Sequence, residues 1–334
     1  MLTQKQNFLE TLKRDGKPDR LPNQYHPIKL IMNDPLGQYT RGMRKRGTDF
    51  VDRWGTTFTW PEDQVACTPH ITQANKVCKD ITCWRDYVKV PDIVATCGDS
   101  ALWEDTRKFM ETIDRDEYLV GAFLGNGVFE QMHFLSGFED TLSDMLLEPE
   151  ASIELAEAIG EYRYQYAKLV VENLHPDIAH SLDDWGTKYS MFMSPDTWRQ
   201  IIKPQYAKMY KYLKEQGVII VHHSDSFLEP IVEDMVELGI DVWQGVLPTN
   251  DIPRLIKQLD GRMVLMGGID SIVDREDATE EEIRAEARRA CEEYSGAGHF
   301  IPCLTYGSPA SVYPHVYDIL SDEIDRFNKE RFGA

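Results

Sequence analysis

At 334 residues, with a formal net charge of −20 and a pI near 4.8, the chain is long enough for one α/β barrel around a single large core. It is too acidic to favour a nucleic-acid backbone or an anionic membrane surface as partner. No apolar run approaches the roughly 18 residues that span a bilayer, and the opening MLTQKQNFLETLKRDGKPDR is polar and amphipathic without a signal core, so a cytoplasmic protein is expected. The six cysteines (Cys67, Cys78, Cys83, Cys97, Cys291, Cys303) show no disulfide-framework spacing, which suits a reducing compartment where thiols serve as core residues or metal ligands.

In chain order, residues 45 to 95 come first as an irregular region. They contain WGTTFTW and CTPHITQANKVCKDITCW, rich in Trp, Thr and Cys, and read as an inserted loop or hairpin segment able to lid one end of a barrel. Tyr118-Leu-Val-Gly121 is predicted as a strand. The G-x-G of Phe123-Leu-Gly-Asn-Gly-Val-Phe129 lacks the third glycine of a dinucleotide site and reads as a βα turn. Asp177 to Leu182 is a short strand, and Ser194 caps a long helix through Tyr212 with Pro195 at its first position. Gly217 to Val221 is the next strand, followed by a helix from Leu228 to Leu238 with Gly239 as its C-cap. Asp241 to Gln244 is a strand, Ile252 to Leu259 a helix, and Met263 to Met266 a strand. Thr279-Glu-Glu-Glu282 opens a helix to about Tyr294 with a capping box. Strand His299-Phe-Ile-Pro302 and a last helix near Val312 to Phe327 complete the alternation, which predicts a parallel sheet. With no linker or repeat, the expectation is one domain, residues 1–334, as a TIM (β/α)8 barrel lidded by the N-terminal insertion.

Catalytic groups of such barrels gather where strands end and βα loops begin. Asp183-Asp184-Trp185, His222-His223-Ser-Asp225, Gln244, Asp270 and Cys303 all fall at those positions. Singly, a double aspartate is often a turn, a buried His a satisfied core residue and a Cys plain core; their convergence on one face favours chemistry. His223, Asp225 and Cys303 offer nitrogen, oxygen and sulfur to one point, the three-ligand pattern of a catalytic zinc with an open fourth position. His222 is expected on the opposite side of its strand from His223. Cys67-x-x-His70 with Cys78-x4-Cys83 is a weaker, structural-zinc alternative.

From LDDWGTKYSMFMSPDTWRQIIKPQYAKMY, the His223-Ser-Asp225-Ser segment, ELGIDVWQGVLPTND, VLMGGID and GHFIPCLTYGSP, the stretch from Asp183 to Phe327 resembles the uroporphyrinogen decarboxylase superfamily, in particular its cobamide-dependent methyltransferase branch. Asp52-Arg-Trp-Gly, Gly127-Val-Phe-Glu-Gln and Gly137-Phe-Glu-Asp extend the resemblance more loosely into the first half. The resemblance implies a TIM barrel. The arginine-rich segment with which the decarboxylases grip substrate carboxylates has no counterpart in PDRLPNQYHPIKL, which disfavours porphyrinogen decarboxylation. In the thiol-methylating members zinc sits on the His and Cys of H-x-C-G and on a later Cys. His223 and Cys303 match, while Asp225 replaces the first cysteine. A carboxylate in place of a thiolate makes zinc a harder Lewis acid, better matched to an ether oxygen.

The resulting expectation is a zinc-dependent methyltransferase that moves a methyl group from an O-methyl substrate, a methoxylated aromatic above all, to the Co(I) of a separate corrinoid protein. Asp183 and Asp184 are the catalytic candidates for substrate positioning or acid catalysis. His26, Trp54, Trp60, Phe123, Trp185 and Gln244 are the candidates to line the substrate pocket. Methyl transfer from methylcobamide to a thiol, metal-free decarboxylation, and non-catalytic binding stand as alternatives, separable by metal analysis and by assays with methoxyarenes or thiols.

Overall fold

In the computed structural model every residue is described except 43, 65, 307, 308, 310, 311 and 334, so the end of the GHFIPCLTYGSP segment lies partly outside the described residues. Seven parallel strands form one curled sheet in the order β1-β5-β6-β7-β8-β9-β10: Ile28–Ile31, Leu119–Phe123, Ile178–Leu182, Ile219–His223, Val242–Val246, Val264–Ile269 and Phe300–Leu304. The remaining strands, β2 (Thr48–Val51), β3 (Thr57–Trp60) and β4 (Thr68–Pro69), make a separate antiparallel sheet within the 45–95 insertion.

The strands are apolar on both faces because both faces are covered. Along β8, β9 and β10 every residue is buried. Side chains turned into the barrel, including Ile28, Leu119, Ile178, Val221, Val242, Val264 and Ile301, make an inner core, and a larger outer cluster packs between sheet and helices. The helix Gln4–Leu12 places Phe8, fully buried, against the inner core and so plugs the N-terminal end of the barrel. Between β10 and β1 the ring is completed by Gln24, whose main-chain N–H donates to Pro302 O at 3.3 Å and whose Oε1 accepts from Leu304 N at 3.3 Å. The architecture is TIM-barrel-like.

Two sequence expectations change in detail. The long helix expected from Ser194 breaks into Pro195–Ile201 and Lys203–Glu215, because Pro204 has no N–H to donate and its ring crowds the preceding turn. The strand expected to stop at Val221 continues through His222 and His223, so both imidazoles belong to β7 itself and alternate across it.

Candidate metal centre at the barrel mouth

His223 turns into the barrel mouth, and its hydrogen-bond partner selects the tautomer of its neutral ring. Gln244, fully buried on β8, donates through Nε2 to Leu304 O at 3.3 Å and to Tyr306 O at 3.1 Å. Those two carbonyls leave the amide oxygen Oε1 facing His223 Nδ1, with which it forms a short hydrogen bond. An amide oxygen only accepts, so Nδ1 carries a proton, and in the neutral ring that leaves the Nε2 lone pair for a cation. This is the arrangement by which metal-binding histidines are oriented by a second hydrogen bond.

Two carboxylates face that lone pair. The turns Asp183–Gly186 and Ser224–Ser226 are zipped together: Asp225 N donates to Asp184 Oδ1 at 3.1 Å, Gly186 N donates to Ser226 Oγ at 3.1 Å, and Ser226 Oγ donates back to Gly186 O at 2.9 Å. A bulge in β8 admits the second turn. Gly245 has φ +95°, and a Cβ there would sit 3.0 to 3.1 Å from Ser224 C, Ser224 O and Asp225 N. As a result one ligand atom each of Asp184, His223 and Asp225 lies within 4.8 Å of the others, and His223 Nε2 stands 3.9 Å from Asp184 Oδ1. Two tetrahedral ligands bonded at about 2.0–2.1 Å to one ion lie about 3.3–3.4 Å apart, so a small side-chain movement would bring this pair onto one ion. Burial, with the Asp184 charge next, pushes the Asp225 carboxyl up to about 7. Two carboxylates and a prepared imidazole sharing one desolvated point suit a divalent cation, which would neutralise them.

The expected set was His223, Asp225 and Cys303. Cys303 does not join the other two: it lies in the inner core, fully buried, with its thiol against Gln244 and raised well above its ordinary value by burial. Asp184 stands in its place. Asp183, expected beside Asp184 as a catalytic group, points to the other side and is fully buried. It accepts from Phe129 N at 3.0 Å, Glu130 N at 2.9 Å, Trp185 Nε1 at 2.8 Å and Tyr206 Oη at 2.7 Å, so it anchors the helix Val128–Ser136 to β6. Gly127, just before that helix, has no room for a side chain: a Cβ would lie 2.1 to 2.2 Å from Asp183. His222 is outward, as expected, with Nδ1 2.6 Å from Tyr210 Oη and its ring stacked 4.2 Å from Trp185; burial holds it well below its ordinary pKa.

The proposed pocket residues scatter. Phe123 ends β5 in the mouth, 6.0 Å from the His180 ring. Gln244 touches His223. Trp185 is fully buried between His222 and Asp183. Trp54 belongs to the insertion and packs on Tyr162 at 4.9 Å, while Trp60 ends β3 and donates to Gln64 O at 3.1 Å. His26 precedes β1 at the strand's N-terminal end and packs against Tyr317 at 6.1 Å, away from the mouth because parallel strands all end at the other rim. The Cys67, His70, Cys78 and Cys83 alternative does not converge among the described residues, and the six cysteines are all free. Sequence reading passed over Glu130, whose carboxyl burial and the charges of Asp184 and Asp183 hold well above its usual range. Its signals were its place in Gly127-Val-Phe-Glu-Gln and at the third position of a helix beside the mouth, where its carboxylate accepts from Gly127 N at 3.0 Å.

The uroporphyrinogen decarboxylase family model matches residues 115–327, and the chain belongs to that family. Among solved structures it is similar to a methyltransferase from Methanosarcina mazei, with TM-score 0.69 and 16% sequence identity over 98% of this chain and 99% of that one. The Amycolatopsis orientalis BexX/CysO complex matches at TM-score 0.32 and 10% identity over 66% of this chain and 70% of that one, too low to bear on the fold. No curated protein matches the chain.

Proposed function

We propose that residues 1–334 form one catalytic unit, a zinc-dependent methyltransferase that takes a methyl group from an O-methyl substrate, a methoxylated aromatic, and delivers it to the Co(I) of a separate corrinoid protein. The observation that carries the reading is the Asp184, His223 and Asp225 cluster at the barrel mouth, with the His223 lone pair exposed by Gln244. A methyltransferase of the same fold supports it. His223 Nε2 and the carboxylates of Asp184 and Asp225 would hold zinc, which when bound supplies Lewis acidity toward an ether oxygen. Two oxygen donors and one nitrogen favour an oxygen substrate over a thiol, because carboxylates leave the ion harder than thiolates do.

The chain's own residues supply placement. Gln244 keeps the proton on His223 Nδ1, the zipped turns hold the two carboxylates together, and Asp183 fixes the neighbouring helix so that the mouth keeps its shape. No helix among the described residues is long and apolar enough to cross a membrane.

The test is metal analysis of protein purified without chelators, followed by incubation with Co(I) corrinoid protein and a panel of methoxyarenes. Stoichiometric zinc, methylated corrinoid and the matching phenol are expected. Absence of zinc, or transfer only between methylcobamide and a thiol, would overturn the assignment.

A further inference from the structure

Neighbouring strands of the curled sheet are tied by ladders everywhere but at its two ends. Among the described residues β1 and β10 share no ladder, and Gln24 joins them. Beside that seam lies a cavity of about 600 Å³, within the roughly 300–1,000 Å³ of sites that hold small organic molecules.

The cavity passes from the outside of the barrel wall to its inside. Its outer part is bounded by Phe109 in the helix Glu104–Glu111, by Ile113 just after it, and by Lys29, whose Nζ lies 4.1 Å from the centre of the Tyr118 ring. Phe109 is 58% exposed and leaves an apolar lip on solvent. The inner part is bounded by Ile28 and Tyr25, both members of the inner core. Aromatic and aliphatic side chains make most of this wall, so the ligand it fits is planar and mainly apolar.

Tyr25 links the cavity to the metal cluster. Its Oη lies 3.1 Å from His180 Nε2, and the His180 ring is stacked 6.4 Å from that of His223. The sheet order makes β7 the fourth of seven strands, so the seam lies across the barrel from His223.

The chemistry needs room in that direction. In the proposed transfer the methyl–oxygen bond breaks as the methyl carbon bonds to cobalt; the oxygen keeps the electron pair, leaves as phenolate and takes a proton from water. Cobalt has to arrive in line from the solvent side of the mouth, and an ether is bent at its oxygen, so the ring projects sideways toward the wall. From this geometry we infer that the aryl group of the methyl donor lodges in the seam cavity, and that donor and phenol pass through the barrel wall while the mouth is left to the corrinoid protein. The Tyr25–His180 contact is then the gate between cavity and cluster. This inference rests on the methyltransferase reading and adds where the donor binds and how it enters.

Titration calorimetry with ortho-methoxyphenol tests the site, and methyl transfer from it to free cob(I)alamin tests the route. The parent protein should bind the probe both with zinc and after chelation, because the wall of the cavity rather than the metal holds the ring. Leu30→Trp, on the same side of β1 as Ile28, fills the inner part, and Ile113→Trp fills the outer part; both side chains are half-buried. Each substitution should weaken binding about tenfold or more and raise KM to match, with zinc content and the midpoint of urea unfolding unchanged. If Leu30→Trp does not fold, Ile113→Trp decides the matter. Unchanged probe binding in Ile113→Trp, or loss of probe binding on chelation, overturns the inference. Binding that the substitutions weaken, in a protein that transfers no methyl group, would keep the cavity as an aromatic site and defeat the methyltransferase reading. Methyl transfer at the parent KM in both variants would do the reverse.

Discussion

His223 has one tautomer open to it, and Gln244 chooses it. Replacing Gln244 with Leu keeps the volume but removes the acceptor at Nδ1 and frees the ring to rotate. We expect zinc affinity to fall about 10- to 100-fold in Gln244→Leu with little change in secondary structure, measured by competition with a chromophoric chelator. The same scale separates the two ligand sets. Asp184→Ala should lose stoichiometric zinc, whereas Cys303→Ala should retain it, since the thiol lies in the inner core against Gln244. The opposite result would restore the set read from the sequence. Two of its members, His223 at the end of β7 and Asp225 in the turn that follows, lie in the candidate cluster, two residues apart in the chain. The third partner depends on which distant loop folds over them, and spacing along the chain carries no such information.

Among the elements, the two turns and the helix behind them depend on close backbone approach. Gly245→Ala puts a side chain at φ +95° and against the Ser224–Asp225 turn, so we expect weaker zinc binding together with lowered stability, read by urea unfolding with and without zinc. Asp183 satisfies four donors in a buried setting. Asp183→Ala should cost at least about 3 kcal/mol in the same unfolding assay, because each orphaned buried donor is worth about 1–3 kcal/mol. An effect on turnover with unchanged stability would instead return Asp183 to the chemistry. The helix expected from Ser194 shows how local signals are read. Ser194 does cap it, accepting from Thr197 N at 3.0 Å, but the apolar periodicity runs on across Pro204 while the hydrogen-bond ladder cannot.

For the molecule as a whole, closure and the candidate metal site both tie together elements remote in sequence. Gln24 joins β10 to the segment before β1, and its Nε2 also donates to Ser321 Oγ at 2.9 Å on the last helix. Zinc joins β6 to β7 at the mouth if the proposed ligands hold it. Anything that binds only the folded state stabilises it by mass action, about 2.7 kcal/mol at a hundredfold excess over Kd. Chelation should therefore lower the Tm by several degrees, and zinc should restore it in the parent protein but not in Asp184→Ala. Equal response of the two proteins would place the metal elsewhere.

The sequence by itself determined the alternation of apolar strands and capped helices, and with it a parallel sheet whose strand ends carry Asp184, His223, Gln244 and Asp225. Those features are local, since hydrophobic period, caps and turn residues act over a few positions. Only the tertiary structure decided that Asp184 rather than Cys303 joins His223 in the cluster, that Asp183 is an anchor, and that His26 sits at the far end. Each of these is a choice of side-chain direction among elements remote in sequence, set by packing across the barrel and by which buried polar groups found partners.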